Sequence, residues 1–150
     1  MADLRDLYQK IILEHYKKPR NFRKSECTNR HAQGFNSLCG DKLNIFLRVE
    51  NGIIQDISFT GTGCAICIAS ASMMTEMLHG KTEEEANILL ERFFHMLDPS
   101  ADSAEMRPSM GDLEVFSNVR GYPVRIKCAT LAWHTARAAL QASSDTVTTE

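Results

Sequence analysis

The sequence predicts an α+β domain in which helices pack on one face of a small antiparallel β-sheet. Three observations predict it. Apolar and polar residues alternate from Lys42 to Val49, directly before the turn dipeptide Asn51-Gly52. Stripes at three- and four-residue spacing precede and follow that region. The order is helix, paired strands, then several helices, without the strand–helix alternation of a parallel sheet.

The opening stripe, Leu4, Leu7, Tyr8, Ile11, Ile12 and His15, is that of an amphipathic helix, which Pro19 ends. The polar stretch from Asn21 to Gln33 reads as a loop. Leu43, Ile45, Leu47 and Val49 form one face of a strand, and Asn51-Gly52 suits a two-residue hairpin because both positions tolerate positive φ. The returning strand, Ile53 to Thr60, is closed by Gly61-Thr62-Gly63. Ala65 to Leu78 is rich in Ala, Ser and Met and ends at His79-Gly80, a helix that packs closely. Met73, Met74 and Met77 read as part of that packing. Thr82 and Glu85 make a capping box for a third helix through Ala86, Leu90 and Leu97. Asp98 to Met110 reads as a loop or insertion, and Gly111 to Asn118 as a short helix. Pro123 suits a first helical position, and the last helix runs from Val124 to Gln141. Ala142 to Glu150 reads as a polar, frayed tail. No repeat or linker divides the chain, so residues 1–150 are expected to form a single domain.

The 150 residues carry 17 basic and 19 acidic side chains, a net charge of −2, with 43% hydrophobic and 24% charged. That is the balance of a globular protein able to bury one core. There is no global basic field for nucleic acid or anionic lipid, and no apolar run near the roughly 20 residues that span a bilayer. Asp3, Arg5, Asp6, Lys10 and Glu14 interrupt the N-terminal segment, unlike the apolar centre of a signal peptide. The expected partners therefore include neither nucleic acid nor membrane, and the expected location is cytoplasmic. Five cysteines in a reducing compartment point to metal or sulfur chemistry before disulfides.

Four side chains stand out: Cys39, Asp41, Cys64 and Cys128. Gly40 lets the backbone turn tightly between Cys39 and Asp41. Cys64 stands at a helix start, where unpaired N–H groups and the helix dipole lower a thiol pKa. Cys128 has Arg125 and Lys127 close by on the last helix. Each also has a plain reading: a buried cysteine as a small hydrophobe, an aspartate as a turn cap. The spacings are not the compact pairs of a zinc finger. Cys67 gives a Cys-x-x-Cys with Cys64, a weak redox signal without a thioredoxin-like context. Cys27 sits in a polar loop, and the five histidines are scattered.

Asn36-Ser37-Leu38-Cys39-Gly40-Asp41, Gly61-Thr62-Gly63-Cys64-Ala65-Ile66 with Ala69-Ser70-Ala71-Ser72, and Arg125-Ile126-Lys127-Cys128-Ala129-Thr130-Leu131-Ala132-Trp133 are three ordered blocks. They resemble the motifs of the IscU/NifU N-terminal/SufU family of iron–sulfur cluster assembly proteins. Leu7-Tyr8, His15-Tyr16 and Pro19-Arg20-Asn21-Phe22 resemble its opening helix and loop, so the likeness runs from about Leu4 to Leu140. Within the family the chain looks most like SufU. Lys127 stands where scaffold IscU proteins place a histidine, and the Asp98–Met110 stretch resembles the SufU insertion. Cys67 departs from the family, which has a serine there.

The resemblance implies a SufE/NifU-like fold and a zinc ion held tetrahedrally by Cys39, Asp41, Cys64 and Cys128. It implies a sulfur acceptor that takes persulfide sulfur from a SufS-like cysteine desulfurase, with Cys39 as the receiving thiol and Arg125 steadying the thiolates. Downstream partners would be an iron–sulfur scaffold or apo-proteins, and no independent small-molecule turnover is expected. Two other functions stay open at this point. One is a scaffold that builds a [2Fe–2S] cluster on the same ligands. The other is a structural zinc-binding interaction domain, against which an aspartate ligand argues.

Overall fold

The computed structural model describes residues 4–100, 110–142 and 146–149. Its elements follow the order expected except for two added strands. Helix α1 (Leu4–Lys17) precedes three strands, β1 (Arg30–Asn36), β2 (Asp41–Glu50) and β3 (Ile53–Thr62). Then come α2 (Ala65–Leu78), α3 (Glu83–Leu97), a 3-10 helix (Gly111–Val119), α4 (Pro123–Leu140) and a two-residue strand β4 (Val147–Thr148).

The sheet order is β3-β2-β1-β4. The β1–β2 and β2–β3 pairs are antiparallel, and β4 runs parallel to β1. The three long strands thus form the expected antiparallel sheet, and the short fourth strand makes the whole sheet mixed. The hairpin closes at Asn51 and Gly52, with φ of 55° and 72°. Those are the positive values that suit a two-residue turn joining right-twisted strands.

Two stretches expected to be irregular are strands. Residues 30–36 extend the sheet although 21–33 reads as loop. Along β1 the buried positions are Ala32, Gly34 and Asn36, and the exposed ones His31 and Gln33. The alternation is real, but small and polar residues occupy the buried face, so it leaves no hydrophobic signal. In the C-terminal tail, Val147 and Thr148 pair with Gly34 and Phe35. The Thr149 N–H donates to the Phe35 carbonyl at 3.2 Å. Most of the Asp98–Met110 insertion lies outside the described residues.

Leu43, Ile45, Leu47 and Val49 face the helices and are buried, as the alternation requires. Helices α2 and α4 cover that face of the sheet, α1 lies against α2, and α3 lies against α4. Trp133 is fully buried and stacks on Phe93 with ring centroids 3.9 Å apart. Its indole N–H donates to Ser70 Oγ at 2.9 Å, and that hydroxyl donates to the Ala129 carbonyl at 2.6 Å. The bonds satisfy both polar groups and lock α2 to α4. Across the α1–α2 contact, buried His15 bonds through Nδ1 to Ser72 Oγ at 2.8 Å. Thr82 and Glu85 form the reciprocal capping box at the start of α3.

Among the described residues, no helix is long and apolar enough to cross a membrane.

Candidate metal centre

One end of the sheet gathers the chemistry. Asn36 pairs with Asp41 and Lys42 with Thr62, so the β1–β2 turn and the β3–α2 junction emerge side by side. Cys39 lies in that turn, Asp41 opens β2, and Cys64 is the N-cap of α2. Cys128, in the second turn of α4, arrives over them. Gly40 takes φ of +70°, which turns the chain between thiol and carboxylate and is costly for other residues.

Ligating atoms of Cys39, Asp41 and Cys128 all lie within 4.8 Å of one another. The sulfurs of Cys128 and Cys39 are 2.9 Å apart. Asp41 is 2% exposed. Its Oδ1 accepts a hydrogen bond from the Cys64 N–H at 2.9 Å, while Oδ2 is buried with no hydrogen-bond partner. A buried carboxylate oxygen without a donor is costly in an apolar setting, and a cation beside it removes that cost. Soft thiolates with one carboxylate form a donor set suited to zinc or iron. The residues fit a metal ion.

Cys64 is adjacent to this trio without belonging to it. Its sulfur accepts from the Cys67 N–H at 3.4 Å, the usual bond of an N-cap side chain to the third helical residue. Gly63 makes the approach of Asp41 possible. A Cβ at Gly63 would stand 2.6 Å from Asp41 Oδ1.

Burial raises the Cys64 thiol above its ordinary value. The Cys67 N–H works the other way, and the charge of Asp41 adds to the rise. This reverses the expectation drawn from its place at a helix start, because desolvation outweighs one N–H bond. Burial also pushes Cys128 strongly upward, followed by the close Cys39 sulfur and the nearby Asp41 carboxylate. Protons therefore stay on these sulfurs until a cation displaces them.

An open cavity of about 850 Å³ borders the site, lined by Cys39, Cys64, Cys128, Tyr122 and Arg125 among others. Arg125 is exposed and lies over the Tyr122 ring, 5.2 Å from its centroid. Leu38, beside Cys39, is 65% exposed. Cys27 is exposed and far from this role in its loop, and all five cysteines are free thiols.

Asn36 had no assigned role in the sequence, yet it is fully buried and donates from Nδ2 to Cys128 Sγ at 3.7 Å. Its Oδ1 accepts from the Leu38 N–H at 3.2 Å. One amide thus fixes both the turn that carries Cys39 and the sulfur of Cys128. The signal available in the sequence was its place at the head of the Cys39 block.

The model of the NifU-like N-terminal domain matches residues 7–129. The chain belongs to that family. Among relatives of this NifU-like domain, the zinc-dependent sulfurtransferase SufU of Bacillus subtilis is 38% identical over 135 residues, 88% of each chain. The iron–sulfur cluster assembly scaffold protein IscU of Streptococcus pyogenes is 33% identical over 145 residues, 97% of this chain and 89% of its own. The crystal structure of FiSufU, from Fervidobacterium islandicum AW-1, superposes with a TM-score of 0.79 at 30% identity. That match covers 87% of this chain and 94% of the other. The function of this family is iron–sulfur cluster assembly, and the Cys39–Asp41–Cys128 group is where this member could bind metal.

Proposed function

We propose that this NifU-like domain is a zinc-bearing sulfur acceptor that takes persulfide sulfur from a cysteine desulfurase and passes it into iron–sulfur cluster assembly. The observation that carries the reading is the buried carboxylate oxygen of Asp41, without a donor, beside the two close sulfurs of Cys39 and Cys128. The relative named a zinc-dependent sulfurtransferase supports the choice of metal and chemistry.

Cys39, Asp41 and Cys128 would hold the ion, with Cys64 completing four ligands by turning its sulfur away from the Cys67 N–H. Bound zinc would keep the thiols deprotonated at neutral pH. Three thiolates and a carboxylate exceed the charge of one divalent ion by two. Arg125, on the cavity wall, offsets part of that excess.

Cys39 is the receiving thiol in this reading because it lies in a turn at the cavity, whereas Cys128 is 2% exposed. Its thiolate attacks the outer sulfur of the partner's persulfide. A new S–S bond forms on Cys39 as the partner's sulfur leaves with the bonding pair as a thiolate. The cavity gives the partner's side chain room to arrive. That access also separates the reading from a structural zinc site, which is closed. The work is placed in the cytosol, with a downstream scaffold or apo-protein as recipient.

The deciding experiment combines metal analysis with desulfurase turnover. Stoichiometric zinc without a visible-absorbing cluster after anaerobic purification, and turnover stimulated by the wild type but not by Cys39→Ser, is the expected result. A thiolate–iron chromophore in anaerobic protein with no stimulation would replace it with the [2Fe–2S] scaffold reading.

A further inference from the structure

Cys67 is the buried thiol that the metal centre leaves over. It is fully buried in the first turn of α2, and burial first, then the nearby Asp41, Cys64 and Cys39, push its thiol well up, so it stays protonated until it reacts. Its backbone N–H already holds the Cys64 sulfur at 3.4 Å. Cys64 is the N-cap and Cys67 the third helical residue. The N-cap backbone of Cys64 is extended, not helical, so closing a disulfide to the third helical residue takes a local adjustment of the first turn that brings the two Cβ atoms to about 4 Å. The two thiols differ in access, since Cys64 lines the open cavity and Cys67 has no exposed surface. An outside molecule can reach the first; only a neighbour within the fold reaches the second.

We propose that Cys67 is a resolving thiol, which discharges sulfane sulfur carried on Cys64 as hydrogen sulfide and leaves a Cys64–Cys67 disulfide. The inference rests on the sulfur-acceptor reading. Sulfur arriving on Cys39 passes to Cys64 by one exchange across the cavity that both line. The Cys67 sulfur then attacks the inner sulfur of the Cys64 persulfide. The bond between inner and outer sulfur breaks, and the outer sulfur leaves with the bonding pair and takes up the proton that Cys67 carried. Two electrons pass from the pair of thiols to the sulfane sulfur, so a persulfide and a thiol become a disulfide and hydrogen sulfide. A small or protein dithiol then reduces the disulfide by two exchange steps. Of the four groups that would hold the ion, Cys64 is the one placed to leave it for this step: its sulfur stands outside the close Cys39–Asp41–Cys128 group and, off the ion, is aimed at the Cys67 backbone. The pair gives the protein its own source of the two electrons that sulfide release requires.

The test uses the full chain, loaded with inorganic polysulfide under anaerobic conditions and freed of excess reagent. Sulfide release and intact mass are followed for wild type, Cys67→Ser and Cys67→Ala, with the linked peptides mapped. The expected wild-type protein gains one sulfur, then loses it as sulfide and ends two hydrogens lighter with Cys64 joined to Cys67. Both variants keep the added sulfur at least tenfold longer. Equal release rates in all three proteins, a Cys39–Cys128 disulfide in place of Cys64–Cys67, or no sulfur on Cys64 would each overturn the proposal. Desulfurase stimulation, measured on the same proteins, separates the two ideas. Stimulation retained by Cys67→Ser with equal sulfide release rejects the resolving role alone. No stimulation by any protein rejects the acceptor reading.

Discussion

Asp41 binds the backbone N–H of Cys64 at 2.9 Å through one oxygen and holds the other buried and without a donor. The first contact ties the start of β2 to the start of α2; the second leaves a negative acceptor aimed at the thiols. Replacing Asp41 with Ala removes both. The expected result is a metal dissociation constant raised at least tenfold in chelator competition, with the far-UV spectrum of a folded chain retained. Chelation should lower the melting temperature of the wild type, because an ion bound only to the folded state stabilises it. The variant should lose most of that response. Unchanged affinity would remove Asp41 from the ligand set.

Gly63 is the steric condition for the same contact. Ala at this position brings a Cβ to 2.6 Å from Asp41 Oδ1 and 3.3 Å from its Cβ, so the buried carboxylate has to give way. Gly63→Ala should cost about 1–3 kcal/mol in urea unfolding, the usual range for overpacking. It should weaken metal binding as well, because the carboxylate must move. A loss of stability with unaltered metal affinity would mean that the carboxylate adjusts without leaving the site.

Much of this was legible in the sequence because it is local. The hairpin at Asn51-Gly52, the capping box of Thr82 and Glu85 and the turn at Gly40 each depend on neighbouring residues, and all are found. Strand β1 escaped because its buried face is Ala32, Gly34 and Asn36, residues whose burial follows from α4 lying on them and not from hydrophobicity. Strand β4 escaped because two residues carry no periodicity. Within the site, Cys39, Asp41 and Cys128 lie together, while Cys64, the fourth member of the expected set, stands beside that group. The direction of the Cys64 shift was misjudged because burial is a tertiary property, invisible from a position at a helix start. The link between Asn36 and Cys128 spans 92 residues, beyond any local pattern.

His134 offers a pH test. Its ring stacks on Phe94 at 4.2 Å between centroids. Burial first, and Arg137 second, push it down to about 4, with Glu91 opposing. Above about pH 6.5 the ring is neutral in both folded and unfolded chains, and its contribution is complete. As pH falls from there toward 4, the unfolded chain takes up the proton and the folded chain does not, so stability declines. His134→Gln should flatten that decline between pH 6.5 and 4 in urea midpoints measured with chelator present. His15, also lowered by burial, keeps part of the slope in the variant. Identical slopes in both proteins would show that His134 does not contribute.

Asn36 tests whether the centre depends on more than its ligands. Groups that hydrogen-bond to metal ligands commonly contribute tenfold to hundredfold in affinity. Here the Asn36 amide donates to the Cys128 sulfur, and its carbonyl oxygen accepts from the Leu38 N–H. Asn36→Asp keeps the shape and the acceptor for Leu38, but sets a carboxylate beside a thiolate. Metal affinity should fall within that tenfold-to-hundredfold range while the turn persists. Asn36→Leu removes both bonds and leaves the Leu38 N–H unpaired, which should add about 1–3 kcal/mol of destabilisation. Cobalt in place of zinc supplies a readout that a purely structural role would not move. The thiolate-to-cobalt charge-transfer band should shift in Asn36→Asp, because the electron density on the Cys128 sulfur changes when its hydrogen bond is lost. An unshifted band with wild-type affinity would assign Asn36 to the turn alone.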